Sequence, residues 1–164
     1  MMFGYGSLMF PDGLNARGMK KLYTWTDLIR FTLPGFCRSL NVLYHQRYYG
    51  LTKYPGSDTI GILFPIDTFE DYIILMKSEY AYPIMQLNEA LYRVENITEH
   101  VPAEKRQNKQ VVTLITKTPS TTGPLALAYI EYVWQGIQKL DESFCKKFLT
   151  TGGISYGNVR RNID

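Results

Sequence analysis

The sequence is poor in the residues that bind metals and close disulfides: its 164 positions hold two cysteines and two histidines. Cys37 and Cys145 lie far apart in apolar surroundings, and neither has a second Cys or His at ligand spacing. A zinc site is therefore disfavoured, and both thiols are expected to be reduced and packed away. His45 and His100 are too scattered to form a metal cluster. No apolar run approaches the ~20 residues of a membrane-spanning helix, and no targeting segment is read ahead of the first motif. Cytoplasmic residence without a membrane partner is the expectation, which makes the sequon Asn96-Ile97-Thr98 a chance occurrence. Charge of one sign is also scarce, with a net value of +3. The one basic concentration, Lys105-Arg106 with Lys109, lacks interleaved aromatics that could stack bases. It reads as a solvated loop, so no nucleic-acid partner is expected.

What is present is ordinary globular material with an excess of one side chain. Hydrophobic residues make up 45% and charged residues 20%, and residues 1–164 read as a single domain. The 13 tyrosines suit the walls of a half-wet cavity, since the ring packs while the hydroxyl bonds, although they suit a β-rich core equally. Met1–Tyr5 reads as a strand, Pro11-Asp12-Gly13 as a turn, and the stretch through Leu22 as irregular or weakly helical. Strands are expected over 35–43, 48–52, 59–66, 110–117 and 125–134, with a turn at Tyr54–Ser57. Tyr82–Leu87 and Leu91–Ile97 are expected to form a hairpin. Asp67-Thr68-Phe69-Glu70 has a capping-box pattern, and apolar positions 69, 72, 73 and 76 follow at helical spacing. Asp141 is expected to cap a last helix carrying Leu140, Phe144 and Phe148, closed by Gly152-Gly153. The class is α+β: a mixed, curled sheet approaching a small barrel, with two or three flanking helices.

The feature with chemical content is the opening Phe3-Gly4-Tyr5-Gly6-Ser7-Leu8. A short strand that breaks into Gly-x-Gly-Ser can aim several backbone N–H groups at one small anion. The glycines allow φ > 0 or a close approach of backbone to ligand, or else serve only a tight turn. Glu79 lies at the end of the amphipathic helix just before a strand, where it could project into a cavity or stay in solvent. Glu70, Asp71 and Glu89 are rival acids, of which Glu70, with a capping task, and Glu89, in a turn, are the poorer choices. Arg38 reads better as a structural strand arginine than as a pocket cation, and Tyr129 as a hydroxyl donor or as core.

The opening FGYGSLM resembles the N-terminal signature of the γ-glutamylcyclotransferase family, and further patches follow in order. Gly35-Phe36-Cys37-Arg38 looks like the family's Gly-Tyr-x-Arg strand. His45-Gln46-Arg47 through Tyr54-Pro55-Gly56 resembles a stretch of the glutathione-specific branch but departs from its His-Arg-Gly-Thr. Gly61–Ile66 is similar to a Gly-x-hydrophobic-Phe-x-Val strand, and Gly157-Asn158 to a Gly-x-Asn tail. Leu75-Met76-Lys77-Ser78-Glu79-Tyr80-Ala81-Tyr82 resembles the segment in which the family keeps its catalytic glutamate. Only the opening motif and this segment are specific. The resemblance implies release of 5-oxoproline from a small γ-glutamyl amide, with Glu79 moving protons and Tyr5, Gly6, Ser7, Leu8, Arg38 and Tyr129 as candidate substrate contacts. It implies no metal or organic cofactor. The rival reading is a binding protein that holds a small anion such as a nucleotide in the same cavity; oligomeric state and leaving group are unreadable.

Overall fold

The computed structural model describes residues 1–82, 85, 86 and 88–151. Among these, six strands form one mixed sheet: β1 (Met2–Gly4), β2 (Ile29–Tyr44), β3 (Gln46–Phe64), β4 (Ala81–Tyr82), β5 (Tyr92–Asn96) and β6 (Val112–Thr116). The helices are α1 (Pro11–Asn15), α2 (Phe69–Ser78), α3 (Ala103–Arg106), α4 (Leu127–Ile137) and α5 (Glu142–Thr150). The α+β class is as expected. Strand order is β2-β3-β1-β6-β5-β4, so the sheet stays open with β2 and β4 at its edges. The short β1 is central, antiparallel to β3 and parallel to β6. Register shifts at Pro34/Phe36 and Leu40/Val42 interrupt the long β2–β3 ribbon, and such bulges bend a strand.

Strand alternation sorts the core into two layers. Met2, Phe64 and Leu114 pack on one side with Leu75 and Met76 of α2. Their neighbours Phe3, Leu63 and Ile115 pack on the other with Ile130 and Val133 of α4 and Phe144 and Phe148 of α5. Phe3, Phe10, Phe36 and Phe64 are fully buried, each such ring stabilising the fold by roughly 1.5–3 kcal/mol. Helices therefore cover both faces, and the loop leaving β1 emerges between them.

Several local expectations are corrected. Residues 125–134 end in helix α4 rather than a strand, because burial recurs at Ala126, Ile130, Val133 and Ile137, the helical spacing. Among the described residues no hairpin forms around Asn88–Ala90: β4 and β5 pair in parallel, Ala81 against Tyr92. Tyr54–Ser57 lies inside β3, and the β2–β3 reversal falls at His45, with φ +59°. Pro11 opens α1 at its first turn, where its missing N–H costs nothing. Thr68, not Asp67, caps α2 by accepting from the Asp71 N–H at 3.1 Å. The buried face of α2 is Asp71, Leu75 and Met76, with Phe69 exposed, because the buried Asp71 carboxylate accepts the Lys20 and Lys21 backbone N–H groups. Lys105 and Arg106 lie in the one-turn α3. Asp141 caps α5 as expected, accepting from Phe144 N–H at 2.8 Å. Gly152-Gly153 and Gly157-Asn158 lie outside the described residues, as do Pro83, Ile84 and Leu87 of the expected hairpin. No helix among the described residues is long and apolar enough to cross a membrane.

Candidate active site

The chain leaves β1 at Gly4 and tightens at once into a 3₁₀ turn, Ser7–Met9, closed by Met9 N–H donating to the Gly6 carbonyl at 3.1 Å. Neither Gly4 nor Gly6 has positive φ; Gly6 sits at φ −132°. The glycines are needed for close approach instead. A Cβ on Gly4 would lie 2.7 Å from the Leu8 Cβ, and one on Gly6 would lie 2.6 Å from the Tyr129 hydroxyl oxygen.

Glu79 is the C-terminal cap residue of α2, its N–H donating to the Leu75 carbonyl at 3.0 Å. Tyr80 then turns the chain through left-handed backbone, φ +53°, into β4. The result brings the helix-end carboxylate against the loop from β1. An inner recess of about 20 Å³, lined by Tyr5, Gly6, Ser7, Leu8, Tyr49, Glu79, Tyr92 and Tyr129, has room for one water-sized group. It adjoins an outer cleft of about 290 Å³ that shares Ser7, Glu79, Tyr92 and Tyr129 and adds Arg17, Val42, Tyr44, Tyr48, Tyr80 and Leu91.

Burial raises the Glu79 carboxyl above its ordinary 4.5, and the adjacent Arg17 guanidinium pulls in the opposite direction. Arg17 Nε lies 2.6 Å from Glu79 Oε1, and Arg17 Nη2 donates to Ser7 Oγ at 2.6 Å. The Tyr129 hydroxyl faces Ser7, whose hydroxyl and N–H both favour its ionised form against the larger effect of burial. A continuous polar chain thus runs Glu79–Arg17–Ser7–Tyr129. The Tyr5, Tyr92 and Tyr129 phenols are all pushed up, first by burial and further by nearby charge, so each stays protonated at neutral pH. Tyr5 spends its proton on the Leu114 carbonyl (2.7 Å) and Tyr92 on the Tyr49 carbonyl (2.8 Å).

Six of the seven expected residues, Tyr5, Gly6, Ser7, Leu8, Glu79 and Tyr129, meet around this recess. Arg38 does not. It shares a face of β2 with Phe36 and Leu40, turned toward α5, and its guanidinium donates to the Ile60, Phe148 and Thr151 carbonyls. Its charge centre lies 3.5 Å from the Phe148 ring centroid, and burial lowers its pKa to about 10, leaving it cationic at neutral pH. Arg38 is a cap for the end of α5, so Arg38→Met is expected to cost on the order of 3 kcal/mol. That follows from losing hydrogen bonds by a charged donor, each worth ~1.5–3 kcal/mol. Urea unfolding measures it; an unchanged midpoint would remove that structural role.

Sequence reading missed Arg17. It follows α1 in a stretch with no periodicity, and only the fold brings it to Glu79. The cleft tyrosines 44, 48, 80 and 92 were likewise invisible except as part of the tyrosine excess.

The loop geometry makes a further prediction. Gly6→Val would push a branched side chain onto the Tyr129 hydroxyl and fill the recess. Anion affinity should fall at least about tenfold in a folded protein, a loss of ~1.4 kcal/mol. Ser7→Ala should cost less, on the order of one hydrogen bond, ~0.5–1.5 kcal/mol. Calorimetric titration with 5-oxoproline separates the two; full-strength binding by Gly6→Val would rule out an anion cradle at this loop.

No protein-family model matches the sequence, and no curated protein does. Solved structures do match the fold. YkqA of Bacillus subtilis superposes with a TM-score of 0.65 at 20% identity over 89% of this chain. The chain spans about half, 51%, of YkqA's length. An uncharacterised protein of Homo sapiens gives 0.62 at 13% identity, covering 99% of this chain and 97% of its own. A γ-glutamyl cyclotransferase gives 0.61 at 13% identity, covering 98% and 95%. The chain therefore has the γ-glutamylcyclotransferase-like fold.

Proposed function

We propose that the protein releases 5-oxoproline from a small γ-glutamyl amide, with Glu79 as general acid and base. The observation that carries this is the meeting of a buried, pKa-raised carboxylate with the β1 loop around one recess. In this reading the substrate's α-carboxylate is held at the N–H groups of Gly6, Ser7 and Leu8, with the Arg17 cation adjacent through Ser7. The recess admits only a water-sized group, so the body of the substrate occupies the outer cleft.

The substrate's own α-amine attacks its γ-carbonyl. A C–N bond forms, closing the five-membered ring, and the amide C–N bond breaks. Glu79 accepts the proton that the attacking amine loses and returns it to the departing amine, so one carboxylate serves both transfers. A carboxyl raised toward working pH suits both roles. Because nucleophile and electrophile belong to one molecule, orientation supplies much of the rate, and the site needs little beyond a folded substrate and a proton shuttle. The phenols at Tyr5, Tyr92 and Tyr129 are neutral, so no second base competes in the recess.

The test is incubation of the purified protein with glutathione, γ-glutamyl amino acids and γ-glutamyl amines while 5-oxoproline is followed by chromatography. Turnover of at least one is expected. Absence of 5-oxoproline from all of them, together with tight binding of a nucleotide, would instead make the cavity a sequestering site.

A further inference from the structure

At the mouth of the outer cleft two tyrosines face each other, Tyr44 from the end of β2 and Tyr80 from the turn after α2. Their ring centroids lie 5.4 Å apart at a tilt of 34°. Both rings are partly exposed, at 44% and 40%, so each keeps a face that can meet a ligand. The backbone beneath them is held in an unfavourable state. Tyr80 has φ +53° and His45, directly after Tyr44, has φ +59°. Left-handed backbone at a bulky residue is uncommon, and such strain gathers at ligand clamps. The His45 ring also contacts Tyr44, with centroids 4.8 Å apart at a tilt of 59°.

The charges in the cleft narrow what these rings can receive. Among the described residues lining it, Arg17 and Glu79 are the charged ones, and they neutralise each other at 2.6 Å. A ligand tail with a carboxylate finds no free cation there, and one with an ammonium finds no free anion. What the cleft rewards is apolar and aromatic surface, since Val42 and Leu91 line it together with the tyrosines. The volume of about 290 Å³ suits a small molecule.

We propose that Tyr44 and Tyr80 form a leaving-group subsite that selects γ-glutamyl amides whose amine is uncharged and aromatic or otherwise apolar, and disfavours those whose leaving group carries a carboxylate. This rests on reading the site as a centre that releases 5-oxoproline. The γ-glutamyl end is held at the β1 loop, and the amine side of the scissile bond projects past Glu79 toward the two rings. The chemistry is unchanged: γ-glutamylbenzylamide gives 5-oxoproline and benzylamine.

The experiment compares γ-glutamylbenzylamide with γ-glutamylglycine as substrates of the wild type and, as uncleavable analogues with CH₂ in place of the scissile N–H, as ligands titrated calorimetrically into it, so that the Arg17–Glu79 pair stays intact. The benzylamide should be preferred about tenfold in kcat/KM and in affinity, the equivalent of ~1.4 kcal/mol of ring contact. In Tyr44→Ala that ratio should move toward one through a raised KM, while Tyr44→Phe keeps the ring and the preference. Tyr80→Gly should also lose the preference. Its thermal midpoint should rise, because glycine takes left-handed backbone without strain.

Equal handling of the two compounds by the wild type would overturn the subsite, as would a preference that survives loss of both rings. If no compound yields 5-oxoproline but the benzylamide still binds tighter in a ring-dependent manner, the subsite stands and the turnover reading falls. If every compound yields 5-oxoproline without ring dependence, the reverse holds. If neither compound binds or turns over, both fall.

Discussion

Replacing Glu79 by glutamine is expected to lower 5-oxoproline release by ~10²–10⁴, the usual span for a general acid–base group. The substitution keeps the side chain's shape and a hydrogen-bonding head, but the amide cannot take a proton from the attacking amine or return one to the leaving amine. That deficit corresponds to roughly 2.7–5.4 kcal/mol of barrier. Binding of the γ-glutamyl compound should persist, and can tighten, because a neutral amide no longer opposes the substrate's carboxylate beside the β1 loop. The variant also frees Arg17, which lies 2.6 Å from Glu79 Oε1 in the wild type, to meet that carboxylate. The reading is therefore a split: kcat collapses and the dissociation constant does not rise. Steady-state release together with calorimetric binding checks both halves. Equal turnover by the two proteins would remove Glu79 from the mechanism.

How far the sequence revealed this arrangement depended on the range of the interactions involved. The β1 loop was legible because its geometry is local: two glycines and a serine within four residues define a close turn wherever the chain goes. Its detailed cause was not, since Gly6 is required by the Tyr129 hydroxyl, a neighbour remote in sequence. Glu79 was legible as a helix-end acid because helix α2 announces itself by periodicity, yet the buried face proved to be Asp71, Leu75 and Met76. Asp71 shifted that face by accepting two backbone N–H groups from the 20–21 turn, a tertiary contact that periodicity cannot contain. Tyr129 lines the recess, but from helix α4 rather than from the expected strand. The run Leu-Ala-Leu-Ala-Tyr-Ile-Glu-Tyr-Val-Trp is apolar enough to satisfy both a strand and a helix pattern, and only the packing of Ile130 and Val133 on the sheet decides. Arg17 left no trace at all, because an arginine after one turn of helix looks like any solvated cation until the fold places a buried carboxylate beside it.

Arg17→Met is expected to make Glu79 harder to ionise, and the consequences appear in both rate and stability. The wild-type carboxyl is already raised by burial, with Arg17 holding it down. Removing the cation leaves a carboxylate with 15% of its side chain exposed and no compensating charge, so its pKa should rise further. Since Glu79 must be ionised to accept the amine's proton, the acid limb of the kcat/KM profile should move to higher pH. For stability, a carboxyl whose folded pKa lies above its unfolded value binds more protons in the folded state, so stability falls as pH rises. Below the ordinary 4.5 Glu79 is protonated in both states, and the variant should differ from wild type by about 1 kcal/mol, for the lost bond to Ser7. As pH climbs through the raised folded pKa the gap should widen toward ~3 kcal/mol, the lower end of the cost of stripping one partner from a buried pair. Arg17→Lys should recover most of the charge effect but not the bond to Ser7, because a single ammonium cannot reproduce the fork that serves both groups. Urea unfolding at pH 4 and pH 8, read beside the pH–rate profile, separates the possibilities. A loss of stability independent of pH, with an unmoved acid limb, would reduce Arg17 to a support for Ser7. A limb displaced upward in Arg17→Met and restored in Arg17→Lys would establish it as the residue that sets the proton affinity of Glu79.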